Sequence, residues 1–503
     1  MAADTPSDTG HRSLDMDEPL IFEQGAAGET GVDLPDAGAF EDRLGAARRT
    51  TETGLPGLSE PEVVRHYLRL SRNNYGIDAG IYPLGSCTMK HNSRLNEKLA
   101  RLVGLADLHP LQPLATVQGA LQLIDACAGW LKALTGMPAI AMSPAAGAHG
   151  ELCGLMTIRA ALEAGGGGRR VVLVPESAHG TNPASAHMCG YQVEAIPANA
   201  RGRVDFAALR HRLGDDIAAI MITNPNTCGL FEDEIIEISD AAHAAGAYVY
   251  CDGANFNAIV GRVRPGDLGI DAMHLNLHKT FSTPHGGGGP GAGPVVLSDA
   301  LAPFQPVPYV VHGKDGFALV ESTDASDASP YGRMKGFHGQ FGVFVRTLAY
   351  MMSMGADGLA QAANDAVLSA NYILAGLSGD LTASYEGPCM HEVLFDDRFL
   401  AETEVTTLDF AKAMIDQGVH PMTMYFPLVV HGALLMEPTE TESRASLDQY
   451  IGMVKSLARR AIEGEVDFFK EAPRLAPRRR LDETAAARNP VLRWRPGDQV
   501  AAE

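Results

Sequence analysis

Between residues 115 and 295 the chain alternates helical stretches with short apolar runs, each run closing on Gly, Pro, Asp or Asn. Val171–Val174, Ile217–Ile222, Ala247–Cys251 and Met273–Leu277 read as strands, with helices such as Asp233–Ala245 between them. Strands separated by helices need crossover connections, so the pattern predicts an α/β fold with a mostly parallel sheet and ligands at the carboxyl ends of its strands. Upstream, Val63, Val64, Tyr67, Leu68 and Leu70 recur at helical spacing and predict a helix over 61–71. Residues 1–58 are rich in Asp, Glu, Gly and Ala and poor in large apolar residues, as expected of an irregular or partner-wrapping arm. Beyond residue 300 the regularity weakens, and a Gly, Ser and Asp-rich stretch over 314–342 precedes a long helical segment near 343–363. The expected organisation is an arm over 1–58, a large α/β domain with a helical lead-in over 59–310, a smaller α+β domain over 311–472 and a peripheral tail over 473–503.

Composition narrows the class. With 503 residues, 46% of them hydrophobic, the chain can bury a sizeable core. A net charge of −21, with Lys and Arg scattered apart from Arg478–Arg480, argues against a nucleic-acid binder. The seven cysteines are widely spaced without a CxxC pair, which favours a reducing compartment over disulfides or zinc, and no metal is expected. The N-terminus lacks a signal-like apolar stretch and no run of about 18 apolar residues occurs, so a cytoplasmic protein with no membrane partner is expected.

The candidate chemistry centres on Lys279. It follows the alternating strand candidate Met273–Leu277 and precedes the glycine run Gly286–Gly289. A buried strand-end lysine is costly unless paired, neutralised or used covalently. A Schiff base with an aldehyde cofactor resolves the cost and gives the amine a catalytic task. One crossover upstream, the Ala247–Cys251 run ends on Asp252, a carboxylate able to pair with a pyridine nitrogen. Asp252 could instead cap its turn, and Lys279 alone could be a surface residue; together their order and spacing fit fold-type-I pyridoxal 5'-phosphate (PLP) enzymes.

Three further clusters follow strands or open helices. Ser143–Glu151 offers small residues at a helix start, where Ala146 and Gly147 would cradle a phosphate. His179, after Val171–Val174, could stack on a cofactor ring or be a satisfied structural histidine. The Thr223–Gly229 turn brings Thr227 towards the same end of the sheet, although a plain turn explains it nearly as well. No GxGxxG-plus-acid dinucleotide fingerprint occurs in a strand–helix context.

Taken together, Tyr82–Asn92, Ser143–Glu151, His179–Ser185, Cys251–Asn255, Leu275–Gly291, Tyr425–Pro427 and Glu437–Ser443 resemble the glycine-cleavage-system P-protein family, glycine dehydrogenase (decarboxylating), and within it the separate C-terminal subunit 2. The resemblance implies the fold-type-I transferase architecture, with Lys279 as the Schiff-base lysine, Asp252 on the ring nitrogen, and His179 and Ala254 on either face of the ring. It implies His278 and the Ala146–Gly147 turn near the phosphate, and Tyr82 at the substrate end, either orienting glycine's carboxylate or packing. It further implies a partner subunit 1 in an α2β2 assembly, and glycine decarboxylation with aminomethyl transfer to the lipoyl arm of H-protein. Another fold-type-I decarboxylase, an aminotransferase or a non-catalytic scaffold subunit are the rival readings.

Overall fold

The structure, a computed structural model, describes residues 18–493 apart from 27, 28, 33, 36, 37, 40, 42, 52, 287–290 and 323–328. Most of the Gly286–Gly289 run therefore lies outside the described residues. The chain divides into two compact units, Met1–Ala79 with Ala472–Glu503, and Gly80–Glu471.

In the first unit the helix Glu60–Arg72 starts at Ser59, whose side chain and Glu62 form a reciprocal capping box. Val64, Tyr67 and Leu68 on its apolar stripe are exposed. Polar ties hold it instead: Glu18 accepts from the Arg69 guanidinium and pairs with the buried His66 at 2.7 Å. Residues preceding the helix form only short 3-10 turns, Ile21–Glu23 and Gly45–Ala47, among those described.

The second unit is built on a seven-stranded sheet of β1 (Ala139–Ala141), β2 (Val171–Pro175), β3 (Gln192–Ile196), β4 (Ile217–Thr223), β5 (Tyr248–Gly253), β6 (Ala272–Leu275) and β7 (Val295–Leu297). Its spatial order is β1-β7-β6-β5-β4-β2-β3, parallel throughout except for β7, which runs antiparallel to both neighbours. Helices cover both faces, which is why the central strands read as unbroken apolar runs; every residue of β2, β4 and β6 is buried. The candidate strand Met273–Leu277 stops at Leu275, and Leu277–Thr280 forms a single helical turn. Lys279 therefore leaves that turn rather than the strand itself.

After a hairpin of β8 (Tyr309–Gly313) and β9 (Gly316–Val320), a helical segment runs over Phe341–Leu377. It is two helices joined at Gly355, whose φ of 65° and ψ of −180° only glycine adopts readily. A four-stranded antiparallel sheet follows, ordered β10 (Thr382–Ala383), β11 (Val393–Asp396), β13 (Leu434–Met436), β12 (Thr423–Met424). Leu84 forms an isolated bridge to Met436 in β13, which ties the Tyr82–Asn92 stretch to this second sheet. All seven cysteines are free, and no helix among the described residues is long and apolar enough to cross a membrane.

Candidate active site

β4, β5 and β6 end side by side, and the parallel register brings Thr223, Asp252 and His274 to the same edge. There a cavity of about 220 Å³ is walled by Ser86, Gly147, Glu151, His179, Asp252 and Lys279, with Thr227, Ala254, Asn276 and His278 completing it.

Asp252 is buried at the end of β5 and fully engaged. Its Oδ1 accepts from the Ala254 N–H at 2.8 Å and its Oδ2 from the Asn182 amide at 3.1 Å. His274 Nε2 lies 3.4 Å from Oδ1, while its Nδ1 pairs with the Tyr250 hydroxyl at 2.6 Å. Burial pushes the Asp252 pKa up, but His274, the Ala254 N–H, the Asn182 amide and Lys279 outweigh it and hold the carboxyl below its usual range. The site thus contains a carboxylate kept ionised without being exposed.

Lys279 extends from the Leu277–Thr280 turn, and its Nζ donates to the Ser86 carbonyl at 2.6 Å. His278 Nδ1 accepts from the Ala292 N–H at 3.3 Å; burial first, then His285 and Lys279, push its pKa down to about 3, so it is neutral. His179 lines the cavity and packs edge-on to Phe426, with ring centroids 5.8 Å apart. The ring is itself solvent-accessible, yet the surrounding protein lowers its pKa by desolvation. Thr227 is buried and donates its hydroxyl to the Ser177 carbonyl.

At the opposite wall the helix Gly147–Ala164 presents its N-terminus, with Ala146 extended in front of it. A Cβ on Gly147 would meet Asn276 Nδ2 at 2.7 Å, so a larger residue at the helix start would have to push the Asn276 side chain aside. The free N–H groups of that first turn suit an anion.

Of the residues singled out by sequence, Lys279, Asp252, His179, Ala254, Gly147, His278 and Thr227 line one cavity. Ala146 backs the wall without lining it. Tyr82 lies outside the wall and stacks on His420, with ring centroids 3.8 Å apart. Sequence reasoning passed over Glu151, Asn182, His274 and Ser86. The alternating polar position at His274 and the last residue of the Ser143–Glu151 stretch were the available signals; Asn182 and Ser86 carried none of their own.

The residues present fit PLP. The cavity offers an amine, an ionised carboxylate, an imidazole and a helix N-terminus, and the buried Thr223 Oγ1 and Asn276 Oδ1 have no hydrogen-bond partner among the described residues. Glu151, Asp252 and His274 also bring possible metal-ligand atoms together, but Asp252 and Glu151 already share the Asn182 amide.

The chain is 65% identical to a probable glycine dehydrogenase (decarboxylating) subunit 2 of Caulobacter vibrioides, over 97% of this chain and 94% of that protein. A protein of the same description from Kosmotoga olearia is 49% identical over 95% of this chain and 100% of its own length. The chain belongs to the glycine dehydrogenase (decarboxylating) subunit 2 family. Two family models agree: the glycine dehydrogenase C-terminal domain matches residues 362–477 and the class-V aminotransferase model matches 154–307. Among solved structures, an inhibitor-bound glycine decarboxylase (P-protein) of the glycine cleavage system superposes with a TM-score of 0.68 at 21% identity, over 81% of this chain and 92% of that one, a likeness of fold. Glycine dehydrogenases of this family and class-V aminotransferases are in general PLP-dependent, and the fold class read from the strand–helix alternation is the one found.

Proposed function

We propose that this chain decarboxylates glycine with PLP held on Lys279 and passes the remaining aminomethyl group to the lipoyl arm of H-protein. The convergence of Lys279 and the ionised, buried Asp252 in one cavity carries the reading. PLP bound there supplies a ring that accepts the electron pair released when glycine's bond to its carboxylate breaks.

The chain's own residues account for the rest. Asp252 would hold a proton on the ring nitrogen, because its carboxylate stays charged while shielded from water. His179 and Ala254 would bracket the ring, the Ala146–Gly147 helix start and His278 would face the phosphate, and Thr227 would lie at the ring's edge. Tyr82 would serve the substrate end from its stack on His420. Lys279, whose amine already reaches a carbonyl acceptor at Ser86, would be the residue that holds the cofactor covalently. In the net reaction the electron pair of the broken C–C bond ends in a new C–S bond, the lipoyl S–S bond breaks, and the second sulfur takes up one proton. The acceptor is a disulfide, which accounts for a dehydrogenase without a dinucleotide fingerprint.

The relatives' designation as subunit 2 supports a subunit 1 partner, and with it the α2β2 assembly. The scattered cysteines support a cytoplasmic setting. Domain limits at residues 58, 310 and 472 belong to the same proposal. The test is exchange of glycine's carboxyl carbon with labelled bicarbonate. It should require both lipoylated H-protein and subunit 1; efficient amino transfer to a 2-oxo acid would overturn the reading in favour of an aminotransferase.

A further inference from the structure

Behind the Ser86 wall of the cavity lies a sealed cluster that this reading leaves unused. Val393 of β11 pairs with Met436 of β13, so the next residues outward, Glu392 and Glu437, sit beside each other at one end of the antiparallel pair. Both are fully buried, as is His391. Each glutamate spends one oxygen on the same loop: Glu392 Oε2 accepts from the Ser86 N–H at 2.8 Å, and Glu437 Oε2 from the Thr88 N–H at 3.0 Å. Their Oε1 atoms each lie 4.0 Å from His391 Nε2 and have no hydrogen-bond partner among the described residues.

Ser86 is the hinge of this arrangement. It adopts a φ of 63°, a left-handed conformation that a non-glycine residue holds only when its surroundings impose it. Its N–H faces Glu392 while its carbonyl accepts from Lys279 Nζ at 2.6 Å. Two neighbouring buried carboxylates cannot both ionise cheaply, so the pair carries at most a single negative charge. That charge stands behind the carbonyl that receives the lysine.

We propose that Glu392 and Glu437 are positioning residues for Lys279: they latch the Ser86–Thr88 turn by its backbone N–H groups, carry one negative charge between them, and hold the Ser86 carbonyl where the Lys279 amine rests whenever the substrate's amine displaces it. The proposal rests on Lys279 being the cofactor lysine. A covalently used lysine must be released and recaptured once per turnover, and a free ammonium in a partly enclosed site needs a fixed acceptor and a counter-charge. Ser86 supplies the first and the buried glutamate pair the second.

The test uses the full chain with subunit 1, stripped of cofactor and mixed rapidly with PLP, following the visible absorbance of the lysine-bound form. Affinity for pyridoxamine 5'-phosphate, which cannot bond to the lysine, is measured alongside. Glu392→Ala should slow capture roughly tenfold or more, the worth of one buried hydrogen bond expressed as a rate, with pyridoxamine phosphate affinity changed less than about twofold. Glu392→Gln should stay within about threefold of the parent, since the amide oxygen accepts from Ser86 and Glu437 keeps the single charge. The isosteric double variant Glu392→Gln/Glu437→Gln keeps the latch but loses the charge, and should again slow capture roughly tenfold. Parent-like capture in the double variant, or equal losses in Glu392→Gln and Glu392→Ala, would overturn the proposal. Should the alanine variant fail to fold, the double variant decides alone. Failure of the underlying reading looks different: the visible band would survive Lys279→Ala, or never form in the parent.

Discussion

Glu151 and Asp252 share one side-chain amide: Asn182 Nδ2 donates to Glu151 Oε2 at 2.8 Å and to Asp252 Oδ2 at 3.1 Å. The two carboxyls are pushed apart in acidity by what else surrounds them. Burial first, and then the charge on Asp252, raise Glu151 to about 8, although Thr181 and Asn182 pull the other way. Asp252 collects His274, a backbone N–H and the amide, and stays ionised. One acid is therefore protonated and the other charged at neutral pH, a division of roles set by environment.

Replacing Asp252 by Ala should leave PLP partly bound while lowering glycine–bicarbonate exchange by about a hundredfold to a thousandfold, the scale of losing one preorganised electrostatic partner. Binding is read by fluorescence titration and exchange by label incorporation. Unchanged exchange would remove Asp252 from its assigned task.

Lys279→Ala should abolish the visible band of lysine-bound PLP, with the fold unchanged by circular dichroism. The side chain is only partly buried and, among the described residues, its hydrogen bond goes to the Ser86 carbonyl, so its truncation leaves little unsatisfied. A band that persists without added amine would place the covalent link elsewhere.

The raised Glu151 has a thermodynamic signature. Its folded pKa, about 8, exceeds the ordinary 4.5, so the native state binds more protons than the unfolded chain across that interval. Stability from this group is fully present below about pH 4.5 and is lost as pH rises through 8. Glu151→Gln can donate to Thr181 Oγ1 and accept from Asn182, and it cannot ionise. The cofactor-free variant should therefore show a flatter fall of Tm between pH 5 and 8 than the parent; parallel Tm curves would refute the protonated Glu151.

Gly355→Ala should destabilise the chain by about 1–3 kcal/mol, because φ near 65° with extended ψ is a region L-residues avoid. Nothing lies within 4 Å of the added Cβ, so the loss would be backbone strain rather than a clash. Chemical denaturation at constant m-value measures it.

Much of the large sheet was legible because its strands are buried on both faces. Ile217–Ile222 has no polar interruption, and its short length, its isoleucines and the Asn-Pro turn after it, rather than periodicity, mark it as a strand. Limits were less legible: Leu277 continues the alternation of β6 yet begins a helical turn, since the register with β5 ends at Leu275. The stripe of Val64, Tyr67 and Leu68 announced its helix correctly but not its exposure, because amphipathic spacing reports a helix and not what covers it.

The division between what the chain encodes locally and what folding decides runs through Lys279. Sequence by itself determined the order of strand, lysine and glycine, the carboxylate one crossover earlier, and the small residues opening the Gly147–Ala164 helix, all features written in neighbouring residues. Only the tertiary structure decided which groups surround that amine. Ser86 reaches it from a loop bridged to β13, and Glu392 and Glu437 meet through the pairing of β11 with β13. Asn182 joins Glu151 to Asp252 across elements far apart in the chain. Hydrogen bonds and charge repulsion act through space, so partners brought together by non-local pairing leave no periodic trace along the sequence.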